Sequence, residues 1–209
     1  MANKQVDLWS SEFGFEYAQR GGNQISADSL RATMRNWARV LQTTASRAPQ
    51  SVLEVGCNIG QNLVALSHFV EQVKGVEPNE QVCEMARSQP QLKHADIRCG
   101  HGGDLPLDDN SVDLVFTAGV LIHVAPDHLG KVVDEIVRVS RRYVVCIEYF
   151  SPDPVEIPYR GMEGFLFKRD FGSYYLERHP QLRVCDYGFF WKPLDNSDNT
   201  NWWLFSKDA

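Results

Sequence analysis

The residues best suited to chemistry lie in a glycine-containing turn and at an acid that follows the next apolar run. Residues 52–55 are predicted to form a buried strand, Gly56 and Gly60 to turn the chain, and Gln61 to begin a helix. Glu77 ends the second apolar run, about 20 residues past Gly56. In an open parallel sheet, ligands bind beyond the carboxyl ends of the strands, where such an acid can bind both ribose hydroxyls. The pattern therefore predicts a nucleoside site.

The glycine pattern of this turn differs from that of a dinucleotide site. Asn58 and Gln61 stand at positions where the dinucleotide fingerprint carries a second and a third glycine. Without the middle glycine, the backbone has less room to approach a pyrophosphate. We therefore expect a nucleoside ligand that has no phosphates.

Taken together, Glu54, Gly56, Gly60 and Glu77 resemble motif I and the following acid of class I S-adenosylmethionine-dependent methyltransferases, over about residues 50–150. The resemblance implies S-adenosylmethionine as the cofactor, with Glu77 on its ribose and the glycine turn beside its methionine part. Three further segments resemble a bacterial clade, the pseudaminic acid biosynthesis-associated methylases; they are residues 12–17, 119–123 and 168–172.

Composition and charge restrict the partners. A net charge of −6 without clustered Lys and Arg argues against nucleic acid as a partner. Five cysteines without CxxC spacing predict reduced thiols, a cytoplasmic location and no metal site. Neither a signal peptide nor an apolar run long enough to cross a bilayer is found, so no membrane partner is expected. We expect a small-molecule substrate and a monomer or homodimer.

Alternating strands and helices predict an α/β fold with a parallel sheet that is covered by helices on both faces. Prolines at 152, 154 and 158 argue against regular structure after the fifth strand, and a short helix is expected within residues 165–175. The family resemblance implies a Rossmann-like, mostly parallel seven-stranded sheet with an antiparallel C-terminal hairpin. Strands are predicted at residues 51–55, 73–77, 95–99, 112–117, 143–149, 182–190 and 202–206, and core helices from about 61, at 79–89 and at 126–140.

A single domain is expected over residues 1–209, because no linker or repeat divides the chain. Within it we distinguish an N-terminal helical cap (1–47), a cofactor-binding core (50–150), a substrate-side insert (151–181) and C-terminal strands (182–209). Ser26 is predicted to cap a helix of the N-terminal part, behind a hinge at Gly21 and Gly22. A polar loop is expected at residues 194–200.

The residues that the resemblance assigns to the cofactor lie at strand ends and in the N-terminal segment. At the adenine end, many relatives carry an Asp four residues before a Leu-Pro pair, where this chain has His101. His101 substitutes for that Asp, or backbone around Gly102 reads the adenine, or Asp104 turns inward. Asn62 is expected to cap the helix. The cofactor candidates are Tyr17, Arg20, Glu54, Gly56, Cys57, Asn58, Gly60, Glu77, Pro78, His101, Gly102, Gly103, Asp104, Ala118, Gly119 and Val120.

Tyr17 and Arg20 resemble the clade's N-terminal Tyr-x-x-Arg-Asn, although Gly21 and Gly22 here separate Arg20 from Asn23. The functional interpretation is a lid, with Tyr17 over the cofactor and Arg20 near a carboxylate. The alternative is an amphipathic helix that simply packs its aromatic side chains.

Two residues are candidate general bases. His123 follows the fourth strand and Glu148 ends the fifth, so topology places both beside the cleft. A histidine in an apolar run can equally be a structural, hydrogen-bonded residue. Tyr149, Tyr159 and Arg160 are the predicted substrate-binding residues, and Lys168 and Arg169 are further cations for an acidic substrate.

The sequence predicts methyl transfer to oxygen or nitrogen of a small polar metabolite, such as the acidic nine-carbon sugar that the clade's name implies. Two alternatives stay open: a methyltransferase that acts on protein or nucleic acid, and a protein that binds S-adenosylmethionine without catalysis. The Asn/Asp-Pro-Pro-Tyr signature of DNA and protein-amide methyltransferases does not follow the fourth strand.

Overall fold

A computed structural model describes residues 3–20, 25–195 and 198–207 of the chain. The predicted hinge, Gly21 and Gly22, and the neighbouring Asn23 lie outside the described residues. The described strands are β1 (Ser51–Val55), β2 (Gln72–Glu77), β3 (Asp96–Cys99), β4 (Val112–Ala118), β5 (Ser140–Glu148), β6 (Val155–Glu156), β7 (Phe167–Lys168), β8 (Arg183–Phe190) and β9 (Thr200–Ser206).

Seven of these strands form one sheet in the order β3-β2-β1-β4-β5-β9-β8. The first five strands pair in parallel, and β9 lies antiparallel between β5 and β8. This arrangement confirms the predicted mostly parallel sheet with an antiparallel C-terminal pair. The chain order reverses at β1, whose neighbours are β2 and β4, and a crevice for a ligand forms beyond the carboxyl ends of strands at such a point.

Local sequence explains where several helices begin. Ser26 caps the helix that begins at Ala27, as predicted, because its Oγ accepts a hydrogen bond of 3.1 Å from the Ser29 N–H. Asn79 caps the helix that begins at Glu80 in the same way, and Pro126 occupies the first turn of its own helix, where its missing N–H is not needed. The helices are α1 (Lys4–Trp9), α2 (Glu12–Gln19), α3 (Ala27–Leu41), α4 (Gln61–Leu66), α5 (Glu80–Arg87), α6 (Pro126–Val139), α7 (Phe171–Arg178) and α8 (Lys192–Asp195).

The core consists of two apolar layers, one on each face of the sheet. The alternation along β4 shows how the sequence divides between them: Leu114 and Phe116 pack in one layer and Val115 in the other. Trp37 of α3 packs edge-to-face on Phe116, with ring centroids 4.5 Å apart. Ile136 of α6 is fully buried in the opposite layer.

The insert after β5 differs from the prediction. Despite its prolines, β6 pairs with β7 in a short antiparallel hairpin, because Pro154 and Pro158 flank the paired residues rather than interrupt them. The helix expected within residues 165–175 consequently begins only at Phe171, where Asp170 caps it. The predicted polar loop at 194–200 begins inside α8, and its residues 196 and 197 lie outside the described residues. Among the helices described, none has the length and apolar character needed to cross a membrane.

Candidate functional site

The carboxyl ends of β1, β2 and β4 open into a cavity of about 610 Å³, which we call the first cavity. Its walls contain every predicted cofactor residue except Gly60 and Asp104. The sheet supplies the floor, while Trp9, Tyr17 and Arg20 of the N-terminal helices form part of the roof.

The Glu77 side chain is held at the tip of β2 by two backbone groups. Its Oε1 accepts from the Asn79 N–H at 3.2 Å and its Oε2 from the Asn58 N–H at 3.0 Å. Each oxygen keeps a further lone pair, so the carboxylate can still accept from two hydroxyl groups. Burial raises the pKa of Glu77 to about 7.

The turn after β1 needs unusual backbone angles. Gly56 and Gly60 have φ of 78° and 84°, and Asn58 adopts the same left-handed region at 48°. A Cβ on Gly56 would lie 2.6 Å from Val120 Cγ2, so this glycine allows β1 and the turn after β4 to approach closely beside the cavity. Gly60 is needed for packing as well as for the turn. It lies outside the cavity wall, and its missing side chain makes room for Leu92, 2.5 Å from an ideal Cβ.

Glu54 lies beneath this turn in a buried chain of hydrogen bonds. Its Oε1 accepts from Asn62 Nδ2 at 2.7 Å, and Asn62 Oδ1 accepts from Trp37 Nε1 at 3.1 Å. The expected capping role of Asn62 is therefore wrong, since its side chain bonds inward and Gly60 occupies the cap position of α4. Glu54 Oε2 has no partner among the described residues, and burial raises the pKa of this carboxyl to about 8.

The end of the first cavity where adenine contacts are predicted contains His101, Gly102 and Gly103. Asp104 is exposed and lies outside the wall, which removes it from the three alternatives that the sequence left open. His101 Nδ1 accepts a hydrogen bond of 3.1 Å from the Gly103 N–H, so the ring is tied to its own turn. His101 and the backbone around Gly102 stay the two candidates for adenine contact.

Helices α1 and α2, residues 4–19, lie over the first cavity, and we call them the lid. Asn79 Nδ2 donates to the carbonyl oxygens of Trp9 and Ser11, at 3.2 and 2.8 Å, where α1 meets α2. At the other end, Gln5 Nε2 donates to the Gly164 carbonyl at 2.8 Å. The lid is thus joined to the cofactor-binding core and to the insert after β5.

A second cavity of about 480 Å³ adjoins the first and shares part of its wall. The shared residues include Tyr17, Ala118, Gly119, His123 and Arg160. The predicted substrate residues Tyr149, Tyr159 and Arg160 all lie in this second wall. Sequence reasoning missed several other residues of the wall, which come from α3, from β8 and β9 and from the segment before β9: Thr33, Asn36, Trp37, Phe190, Asp198 and Thr200.

His123 is the one candidate base that lies in both cavity walls. Its Nδ1 is 2.7 Å from the Phe165 carbonyl oxygen, which can only accept, so Nδ1 carries the hydrogen and Nε2 keeps a lone pair. The ring lies between Trp9 and Tyr159, with centroids 4.9 and 4.8 Å away. Burial lowers the pKa of His123, so the neutral imidazole is favoured at pH 7.

The structure contradicts the expectation that Glu148 faces the cleft. It is fully buried and absent from both walls. Its Oε1 accepts from the Val120 and Leu121 N–H groups, at 3.1 and 3.0 Å, and its Oε2 from the Ile122 N–H at 3.4 Å. The carboxylate therefore fixes the turn that carries His123 and cannot reach a ligand.

Two guanidinium groups lie near the Tyr17 ring at the mouth of the site. Arg20 and Arg160 place Cζ at 5.8 and 5.6 Å from its centroid, and neither has an ion pair within the described part of the chain. The other predicted cations, Lys168 and Arg169, lie in neither wall and line a smaller cavity of about 230 Å³ elsewhere. Lys168 Nζ nevertheless lies 5.0 Å from the ring centroid of Tyr149, which is in the second wall.

Two further observations concern the chemistry of the site. Tyr149 Oη donates to Asp198 Oδ2 at 2.6 Å across the second cavity. No cluster of three His, Cys, Asp or Glu side chains suited to a metal ion occurs in residues 3–20, 25–195 and 198–207.

Comparison with known proteins gives a consistent picture. Residues 53–147 match the family described as the methyltransferase domain. An uncharacterized methyltransferase, YcgJ, of Bacillus subtilis is 30% identical over 56% of this chain and 47% of its own length. Cycloartenol-C-24-methyltransferase of Arabidopsis thaliana is 31% identical over 75% of this chain and 50% of its own length. The chain thus spans about half the length of these curated relatives.

Among solved structures, magnesium protoporphyrin IX methyltransferase of Synechocystis PCC 6803, with bound S-adenosylmethionine, superposes with a TM-score of 0.72. The alignment covers 100% of this chain and 99% of that one at 13% sequence identity, a likeness that concerns the fold alone.

Proposed function

We propose that this chain is a class I S-adenosylmethionine-dependent methyltransferase that transfers the methyl group to oxygen or nitrogen of a small polar metabolite. The observation that carries the proposal is the junction of two cavities at Ala118, Gly119 and His123. One cavity suits the methyl donor and the other suits an acceptor of limited size.

The first cavity fits the chemistry of S-adenosylmethionine. Glu77 presents a fixed carboxylate for the ribose hydroxyls, and Gly56 removes a side chain where β1 meets the turn after β4. Glu54 has a buried oxygen without a partner, which a cationic amine would satisfy. When bound, the donor supplies a methyl group on a sulfonium that is already a good leaving group.

Positioning is the main contribution of this chain to such a reaction. Holding a nucleophile in line at near-attack distance is worth up to about 7–11 kcal/mol as effective molarity. Tyr17 and Arg160 at the roof and Gly119 at the floor enclose the point where the cavities meet. A donor in the first cavity and an acceptor in the second would meet there along a fixed direction.

His123 Nε2 is the atom that we assign to proton removal from the acceptor. It is a free acceptor, because Nδ1–H is engaged by the Phe165 carbonyl, and burial favours the neutral ring. A positioned base contributes about 10²–10⁴-fold when the nucleophile is a hydroxyl.

The acceptor that suits the mouth of the second cavity is an acid. Arg160, in the wall of the second cavity, has no described carboxylate partner, and an Arg fork binds carboxylates in a bidentate manner. This charge pattern agrees with the segments that resemble pseudaminic acid biosynthesis-associated methylases. We therefore propose a nonulosonic acid sugar, or a precursor of one, as the substrate.

Label transfer from methyl-labelled S-adenosylmethionine tests the proposal. The full chain is incubated separately with sugar acids, the matching neutral sugars, transfer RNA and a protein extract. We expect label in a sugar acid and none in its neutral counterpart. Label in RNA or protein would favour a macromolecular acceptor, and tight donor binding without any transfer would indicate a non-catalytic binding protein.

A further inference from the structure

Two of the five cysteines lie together beside the first cavity. Cys83 Sγ of α5 and Cys99 Sγ of β3 are 2.8 Å apart, closer than two unbonded sulfur atoms normally pack. Cys83 is fully buried, whereas Cys99 is exposed on an edge strand. A disulfide needs about 2.05 Å between the sulfurs, so little movement separates the two thiols from a bond.

This thiol pair contacts the segment that supplies the ribose carboxylate. Cys83 Sγ donates to the Glu77 carbonyl oxygen at 3.3 Å, and Cys99 is the register partner of Glu77 in the β2–β3 pairing. The Gly100 N–H donates to the same carbonyl at 3.0 Å. His101, in the wall of the first cavity, follows Gly100 directly. The two sulfurs therefore lie beside the two segments that the proposed function assigns to adenosine, which are the end of β2 and the turn after β3.

We propose that Cys83 and Cys99 form a peroxide-oxidisable thiol pair whose disulfide weakens binding of the methyl donor. The second half of this proposal rests on the proposed function, since it takes the first cavity as the donor site. The first half depends only on the two sulfurs.

The chemistry needs one peroxide for each disulfide. The exposed Cys99 sulfur attacks a peroxide oxygen, the O–O bond breaks, and a sulfenic acid forms with release of water. Cys83 sulfur then attacks Cys99 sulfur, the S–O bond breaks, and the hydroxyl leaves with the Cys83 proton as a second water. The two thiols together lose two electrons and two protons, which reduce the peroxide.

Oxidation changes the donor site for two reasons. The Cys83 sulfur loses the hydrogen that it donates to the Glu77 carbonyl, and closing the gap draws the end of β3 towards α5. Reciprocity requires that bound donor opposes formation of the disulfide to the same extent that the disulfide opposes donor binding.

The test begins with the linkage itself. The full chain is treated with equimolar hydrogen peroxide, alkylated, and digested without reduction for mass spectrometry. We expect loss of two thiols and a peptide that links Cys83 to Cys99. Cys99→Ser should abolish the link, and Cys185→Ser, which removes another exposed thiol, should leave it intact. Absence of the linked peptide in the wild type would overturn the proposal.

Calorimetry with S-adenosylhomocysteine tests the coupling. Oxidised wild type should bind at least about fivefold more weakly than reduced wild type, the low end for coupled sites. Peroxide-treated Cys99→Ser should match its untreated form. A linked protein with unchanged affinity would overturn the coupling. Failure of the reduced wild type to bind would instead contradict the assignment of the donor site, while the linkage result would stand.

Discussion

The backbone N–H of Asn58 donates to Oε2 of Glu77 over 3.0 Å, which joins the turn after β1 to the tip of β2. Asn58 holds a φ of 48°, a conformation that costs energy in a residue with a side chain. The bond compensates for that cost and fixes the carboxylate at the same time. The geometry of the turn and the orientation of Glu77 are therefore set together.

Glu77→Ala should weaken binding of S-adenosylhomocysteine by about 1.5–3 kcal/mol, because hydrogen bonds to a charged group are lost. That loss corresponds to roughly 10–150-fold in Kd at 25 °C. Isothermal titration calorimetry measures it directly. Glu71→Ala, which removes an exposed acid outside the site, is the matched control. A folded Glu77→Ala chain with unchanged affinity would contradict the assignment of the donor site.

The donor-free protein should lose stability as the pH rises from about 5 to 8. Burial raises the folded-state pKa of Glu77 and Glu148 to about 7 and of Glu54 to about 8, above the ordinary value of a carboxyl group. The folded state therefore binds more protons than the unfolded state in this window, and its advantage is lost as each group ionises. Each excess proton is worth about 1.4 kcal/mol per pH unit.

Glu54→Gln should flatten this pH dependence, because the amide does not ionise but its oxygen can still accept from Asn62. Urea titrations at pH 5, 6, 7 and 8 give the unfolding free energies of both proteins. A wild-type stability that rises steadily over this range would show that these carboxyl groups are ionised in the fold.

His123→Gln should lower kcat by about 10²–10⁴-fold at an unchanged KM, since proton removal from the acceptor loses its base. Wild-type activity should persist below the ordinary pKa of a histidine, because burial lowers the pKa of His123. His123→Phe, which keeps a ring between Trp9 and Tyr159, tests whether stacking alone suffices. Full activity in the Phe variant would assign the residue a packing role.

Arg160→Ala should raise KM for an acidic acceptor roughly tenfold, the low end for loss of a hydrogen bond to a charged group. Arg160→Lys should recover part of this loss, because it keeps the charge without the fork. Arg183→Ala, in an exposed edge strand, provides the control. Steady-state kinetics at two salt concentrations give the readout, and an equal effect on the neutral analogue would rule out recognition of the acid.

Glu148→Ala should lower the free energy of unfolding by about 3 kcal/mol, because up to three buried N–H groups lose their acceptor. Glu148→Gln should cost less, since one oxygen still accepts. Denaturant unfolding measures both. A stable Glu148→Ala protein that had lost only its activity would restore the interpretation of Glu148 as a base.

The sequence predicts the sheet, and most of its cofactor candidates line the first cavity. The reason is local. Apolar runs, the Ser26 cap and the spacing from Gly56 to Glu77 each report on a short segment whose geometry follows from its own residues. The residues that line the second cavity have weaker signals in the sequence. Asn36 and Phe190 reach the second cavity only because α3 packs against β8, and no local sequence pattern encodes a contact between elements so far apart in the chain.

Two errors show the limit of reasoning from strand ends. Topology places Glu148 at the correct edge of the sheet, but it does not say that the side chain turns under the residues after β4. The position of Asn62 at the start of α4 predicts a helix cap, whereas its side chain turns inward and donates to Glu54. Direction of a side chain and packing between distant elements depend on the whole fold.

The hydrogen bonds of Asn79 have a consequence for the exchange of the methyl donor. Its backbone N–H donates to Oε1 of Glu77, and its side-chain amide donates to the carbonyl oxygens of Trp9 and Ser11, where α1 meets α2. We expect the lid to separate from Asn79 when the donor exchanges, because this one residue holds both the lid and Glu77. Turnover would then depend on the rate of lid movement as well as on methyl transfer.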